Sequence, residues 1–546
     1  MPYAAPIETM RWMLEACSDL WTLKRSAPER YQDLDENLLG AILEGAGALA
    51  ADTLAPINRS GDRAGAVLKD GVVASAPGFR EAYKEFADAG WLGLAADPAY
   101  GGQGLPRAVA LAVFEMVHAA NMSFGLCPML TLAAIEAIEK HGAQDQKDLY
   151  LAKLISGEWT GTMNLTEPQA GSDLGALTTK AARQADGSFA ITGQKIFITW
   201  GEHDLADNII HLVLARIDGA PAGSKGLSLF VVPKFRDEDG SRNAVRCIGL
   251  EEKMGIHASP TCTMAYEGAT GWLIGEENRG LAHMFTMMNA ARLNVGVEGV
   301  AVAEAAYQKA LAYSKERKQG GAAIIAHPDV RRMLMTMKAK IQVGRAICYT
   351  TAIAADAGAA AREALLTPIA KAWCTDMGVE VASLGVQIHG GMGYVEEGGA
   401  AQFYRDARIA PIYEGTNGVQ AIDLVGRKVQ ADQGAAMREF VEEMRVFSRG
   451  PIMSAAVEAL LHATGHVISE SRENALAGAT PYLALAGDVI GALLLARGLE
   501  RRPNAEQTAL LDFFTETQLA GAPARLSAIR LSAGVLRDKR LADFAS

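Results

Sequence analysis

The hydrophobic period changes twice along this chain, and a change of period is a change of architecture. Between Glu36 and about Gly157 apolar residues recur at helical spacing, as in Leu38, Leu39, Ile42 and Leu43. From about Thr160 to Ile274 the runs shorten and become rich in β-branched and aromatic residues. They are Phe189 to Thr192, Lys195 to Thr199, Ile209 to Leu214 and Leu227 to Val232, separated by Gly, Asp and Asn. Helical spacing then returns in long pieces, Val295 to Glu316, Pro328 to Ala357 and Ala361 to His389. A helix turns a stripe to the core every ~3.6 residues and a strand every second residue, so these stretches belong in separate layers. The expected fold is α+β, mainly α: a helical domain over 36–159, a β domain over 160–275 and a helical bundle over 280–430.

Two segments remain, an N-terminal extension over 1–35 and an additional helical unit over 431–546. The 546 residues are enough for three or four units of about 100–200 residues, with room to bury a sizeable ligand between them. No solenoid repeat or low-complexity tract is present, which excludes arrays and disordered scaffolds. A net charge of −11 without local basic clustering argues against nucleic acid as a partner. The six cysteines are scattered with no C-x-x-C pair, so reduced, mostly buried thiols are expected rather than disulfides or zinc. His462 and His466 have the spacing of a metal pair but lack an intervening glutamate, and no metal is expected. Met1 to Met10 has no basic segment before an apolar run, and the apolar stretch Tyr482 to Arg497 is short and broken by Asp488. A cytoplasmic protein without integral membrane association is expected.

Three motifs carry chemistry. Leu165-Thr166-Glu167-Pro168-Gln169-Ala170-Gly171-Ser172-Asp173 opens the β domain with small residues and hydroxyls that let backbone N–H groups approach a polar ligand, although alone it reads equally as a turn. Gln387-Ile388-His389-Gly390-Gly391-Met392-Gly393-Tyr394 is Gly-rich but follows a helix rather than a strand, which rejects a Rossmann fingerprint. Ile412-Tyr413-Glu414-Gly415-Thr416-Asn417 places a carboxylate in a loop after Pro411, where an isolated Glu would ordinarily be solvated.

In this order and at this separation, the segments resemble the acyl-CoA dehydrogenase family of flavoproteins across roughly 36–430. Pro98 to Gly104, Gly193 to Thr199 and Tyr313 to Lys318 extend the resemblance. It implies a helical domain, a β domain and a C-terminal four-helix bundle, with FAD wedged between the β domain and the bundle. Leu165, Thr166 and Ser172 would line the flavin and thioester region, Ser172 also touching substrate, and Phe197 and Thr199 would flank the flavin ring. Thr416 would touch the cofactor, Tyr413 and Gly415 would shape the thioester pocket, and Arg292 would lie near the base. Arg317, Gln387 and Gly391 would reach the pyrophosphate and adenine half of FAD bound by a neighbouring subunit, which implies a homodimer. The electron acceptor would be an electron-transfer flavoprotein.

Removing the proton next to a thioester needs a base within hydrogen-bond reach, and the resemblance makes Glu414 that base. Some members place the base one residue before the arginine matching Arg292, but Ala291 stands there. Departures from the family pattern fall at Asn164, Trp200, Gln319-Gly320, Gln402 and Gly418. The long C-terminal unit and the Gly201 to Asp204 loop resemble the enlarged bacterial members that include 3-methylmercaptopropionyl-CoA dehydrogenases, pointing to a short or medium acyl-CoA. The alternatives are an acyl-CoA oxidase, or a flavoprotein of this fold that binds DNA through arginines such as Arg497, Arg501 and Arg502.

Overall fold

A computed structural model describes residues 3–237 and 239–536. Asp35 accepts the Leu38 N–H at 2.7 Å and caps the first long helix, Glu36–Leu49. The helix Arg107–Ala120 is mostly apolar and is buried almost throughout, with Met122–His141 packed beside it and Gln144–Ser156 packed against that second helix. The first domain is not purely helical. Val67–Lys69 and Val72–Ala74 pair as a hairpin across Asp70-Gly71, the dipeptide whose left-handed backbone suits a two-residue turn.

In the β domain the pairings run in a closed circuit. Asn208–Ile217 pairs in parallel with Lys180–Arg183, which pairs with Phe189–Thr199, then Thr261–Ile274, then Leu227–Pro233, which returns to Asn208–Ile217. Trp159–Asn164 and Val245–Leu250 add to this ring. Closure leaves few free strand edges. Phe189 to Thr192 and Lys195 to Thr199, expected as separate runs, form one strand of 11 residues with register shifts after Ile191 and Lys195. At the second bulge Phe197 takes φ 60° and the residue is 57% exposed.

Three long helices, Gly280–Glu316, Pro328–Asp356 and Ala360–His389, dominate the bundle. The first has 37 residues and is about 55 Å long. Arg345 joins the bundle to the first domain by pairing with Glu115 at 2.6 Å and Glu304 at 3.0 Å, all three side chains buried.

The additional unit, with main helices Gly450–Ser469, Ala479–Arg501, Ala505–Thr517 and Ala522–Leu536, packs against this bundle. Asp488, the charge that interrupts its most apolar run, is buried because Trp373 donates to it at 2.8 Å and Arg525 pairs with it. Three stretches, Glu36–Ala64, Met122–His141 and Ala479–Arg501, are long and apolar enough to cross a membrane, and the last two are mostly buried within the fold. Arg497 donates to the Cys17 carbonyl, Arg501 pairs with Asp19 at 2.8 Å, and Arg502 pairs with Glu15. The arginines a DNA-binding surface would need therefore tie the end of the helix Ala479–Arg501 to residues 15–19 of the N-terminal extension. All six cysteines are buried free thiols.

Candidate active site

The loop carrying Glu414 is built from the bundle outward. Gly415 takes φ 85°, the left-handed region that favours glycine, and a Cβ there would also displace the Gln420 amide nitrogen, 2.8 Å away. Glu414 itself takes φ 55°, a left-handed conformation that a glutamate adopts only when its surroundings impose it. Those surroundings are cations aimed at the backbone. Arg292, on the helix Gly280–Glu316, directs Nε to the Glu414 carbonyl at 3.4 Å, and Gln420 donates to the same oxygen at 3.2 Å. Lys371, fully buried on the helix Ala360–His389, donates to the Gly415 carbonyl at 2.8 Å and to Asn417 at 2.9 Å. Asn417 in turn donates to Asp376 at 2.7 Å and to the Ala372 carbonyl at 3.1 Å. Thr416 accepts the Val419 N–H at 3.2 Å and caps the short helix that follows.

With these donors spent on carbonyls, no side chain among the described residues donates to the Glu414 carboxylate. Burial consequently pushes its pKa up to about 7, against the opposing pull of Arg292 and Lys371. Burial also lowers Lys371, to about 8. Ala291, where an alternative base would stand, is buried and carries no polar group. Tyr413 turns its hydroxyl into the bundle and donates to Glu298, a second carboxyl with no exposed surface.

On the β-domain side, Leu165 and Thr166 lie against the strand Phe189–Thr199. The Leu165 carbonyl accepts from the Lys195 ammonium at 3.0 Å, and the Thr166 carbonyl accepts the Ile196 N–H at 2.9 Å. Thr199 is fixed by its carbonyl, which accepts the Thr162 hydroxyl at 2.7 Å. Ser172 is exposed on the loop. Glu167 anchors this region: it pairs with Lys195 at 2.9 Å and accepts N–H and hydroxyl donors from both Thr178 and Thr179. Burial would raise its pKa, but Lys195 and these donors hold it far below the usual carboxylate range.

Arg317, Gln387 and Gly391 form a third, exposed group. Tyr313 stacks on His389 at 4.4 Å, joining the ends of the two helices that carry this group. Arg292 lies on the helix Gly280–Glu316 and Arg317 caps its C-terminal end, about 37 Å further along the axis, so this third group is remote from Glu414.

Residues 41–158, 162–269 and 278–429 match the N-terminal, middle and C-terminal domains of acyl-CoA dehydrogenases, and 434–537 match an "Acetyl-CoA dehydrogenase C-terminal like" domain. The chain belongs to the acyl-CoA dehydrogenase family. Among its relatives, the 3-methylmercaptopropionyl-CoA dehydrogenase of Ruegeria pomeroyi is 46% identical over 527 residues, covering 90% of this chain and 89% of that one. The structure of Caenorhabditis elegans ACDH-11 in complex with C11-CoA has a TM-score of 0.80 at 22% identity and covers 98% of this chain and 96% of that one. An acyl-CoA dehydrogenase from Bacillus anthracis complexed with FAD has a TM-score of 0.77 at 22% identity, covering 92% and 89%. At that identity the two structures speak to the fold.

An acyl-CoA dehydrogenase is an oxidoreductase that uses FAD, and the residues present suit that cofactor. The exposed Phe197 ring on a left-handed backbone, with the hydroxyl residues Thr166, Ser172, Thr199 and Thr416, offers an apolar face and polar donors to a flat heteroaromatic ring. Three of the departures from the family pattern, Asn164, Trp200 and Gln402, have partners of their own. Trp200 is buried against Phe79 and donates to the Ser123 carbonyl at 3.2 Å, and Asn164 accepts from Tyr266 at 2.8 Å. Gln402 donates to Asn58 at 2.9 Å.

Sequence reasoning missed Lys371, Glu298 and the Glu167–Lys195 pair. Each left a trace, a lone charge inside an apolar or β-rich run: Lys371 in Pro368 to Trp373, Glu298 in Val295 to Val302, Lys195 in Phe189 to Thr199. A lone charge in such a run implies a buried partner but does not say which.

Proposed function

We propose that Glu414 removes the α-proton of a short or medium acyl-CoA, with 3-methylmercaptopropionyl-CoA as the first substrate to test, giving the trans-2-enoyl-CoA. The observation that carries the reading is the Glu414 carboxylate itself, on strained backbone, among groups that bind the loop but not its carboxylate. A base near neutrality is half ionised at working pH and still strong enough to accept the proton. The backbone N–H of Glu414 would receive the thioester oxygen, where negative charge develops. Gly415 leaves space at the loop for the thioester, and Arg292 holds the base in place. Bound FAD supplies the hydride acceptor for the β-carbon.

The 46% identity to a 3-methylmercaptopropionyl-CoA dehydrogenase supports the substrate. The separation of Arg317, Gln387 and Gly391 from Glu414 supports their use on the cofactor of a second copy, in a homodimer. Electrons then pass to an electron-transfer flavoprotein, and the enzyme works in the cytoplasm without membrane insertion. Anaerobic titration of the flavin spectrum with acyl-CoAs of graded length, including 3-methylmercaptopropionyl-CoA, tests the reading. Rapid bleaching with the short thioesters is expected, and a flavin that none of them reduces would overturn it.

A further inference from the structure

Glu298 lies in the middle of the helix Gly280–Glu316, in a run that otherwise holds only apolar residues and glycine, and it has no exposed surface. No cation pairs with it among the described residues. One carboxyl oxygen is partnered by the Tyr413 hydroxyl and the other has no partner. Tyr413 is the residue immediately before Glu414, so this contact reaches the base through a single peptide unit. A buried carboxylate with one hydrogen bond and no countercharge is costly, whereas a protonated carboxyl beside a phenol is not.

The charged groups around it are few. Glu414 on the loop raises its pKa, and Lys371 on the facing helix lowers it. Arg292, on the same helix, is directed at the Glu414 carbonyl and Asn289. Asp376 is bonded to Asn417. Further along, Glu304 is paired with Arg345. Burial, the largest influence, pushes Glu298 up to about 8, outweighing the Tyr413 hydrogen bond, which lowers it.

We propose that Glu298 is a positioning residue for the base: as a neutral acid it grips Tyr413, and through Tyr413 holds Glu414 in its left-handed backbone, so that only one of the two neighbouring carboxyls carries charge during turnover. The inference rests on Glu414 as the base. Glu298 touches neither substrate nor cofactor in this role. It acts by fixing where the reactive carboxylate stands, and misplacement of a reacting group by about 1 Å can cost ~10²-fold in rate.

Two substitutions and two readouts test it. Glu298→Leu, which cannot bond Tyr413, should lower kcat by about 10- to 100-fold with little change in KM. Glu298→Gln, which keeps the bond but cannot ionise, should restore most of that loss. The acid limb of the kcat/KM profile should stay in place in Glu298→Gln, because a neutral group has been exchanged for a neutral one. A shift of that limb to lower pH would show that Glu298 is ionised in the working enzyme and overturn the proposal. So would a Gln variant as slow as the Leu variant.

The second readout does not depend on catalysis. Between the ordinary carboxyl pKa and about pH 8 the folded chain keeps a proton on Glu298 that the unfolded chain has released, so this group's contribution to stability falls as pH rises through that window. Measured by thermal melting in a Glu414→Gln background, that slope should diminish when Glu298→Gln is added, and an unchanged slope would also overturn the proposal. High activity in Glu414→Gln alone would instead count against the base, leaving the melting result to be judged separately.

Discussion

Two carboxyl groups in this molecule, one buried and one half-buried, meet opposite fates. Glu167, in the β domain, has its oxygens filled by Lys195, two hydroxyls, two backbone N–H groups and the Gln169 amide. Glu414, on the bundle, has two cations nearby, but Arg292 and Lys371 donate to the carbonyls of the loop and leave the carboxylate unbonded. Burial acts on both in the same direction. What separates a structural carboxylate from a reactive one is where the neighbouring donors are spent, and near Glu414 they are spent on shape.

The sharpest way to break this comparison is Glu414→Gln. Loss of a general base should lower kcat/KM by about 10²–10⁴-fold while the protein stays folded and yellow, and near-normal turnover would end the distinction drawn here. Next in size, Lys195→Met should strand the Glu167 charge and cost about 3–5 kcal/mol in a denaturant titration, with part of the loss recovered when Glu167→Gln is added. The two groups should also respond oppositely to pH. Glu167 is held low in the fold, so its stabilisation is present above the ordinary carboxyl value and is lost as pH falls through its folded value. Glu414 is held high, so its contribution to stability falls as pH rises from the ordinary value towards about 7, while kcat/KM rises through that same region as the base ionises. The smallest effect concerns Lys371→Met. Because the Lys371 charge lowers the pKa of Glu414, its removal should move the acid limb to higher pH, and a limb that moves to lower pH would show that the lysine acts otherwise.

Much of the fold was legible. The three long bundle helices fall within a residue of their expected C-terminal ends, since a 3.6-residue period sustained over many turns admits no other element. The hairpin at Asp70-Gly71 is less legible, for although its turn residues are a strong local signal, three-residue strands carry too little alternation. Within the site, Glu414 and Gly415 were legible from one short motif, and Arg292, 122 positions away, from the family resemblance alone. Lys371 and Glu298 were not, for they come from two different helices and act only through contacts with the loop.

By itself, the sequence determined the order of helical and β domains, the family and the candidate base, because periodicity and short motifs are local properties of the chain. Only the tertiary structure decided that Lys371 binds the Gly415 carbonyl, that Tyr413 reaches Glu298, and that Arg497, Arg501 and Arg502 each find a partner on the N-terminal extension. The physical reason is that a charge acts on whatever lies within a few ångströms of it, and residues 44 or 480 positions apart become neighbours only when the chain has folded.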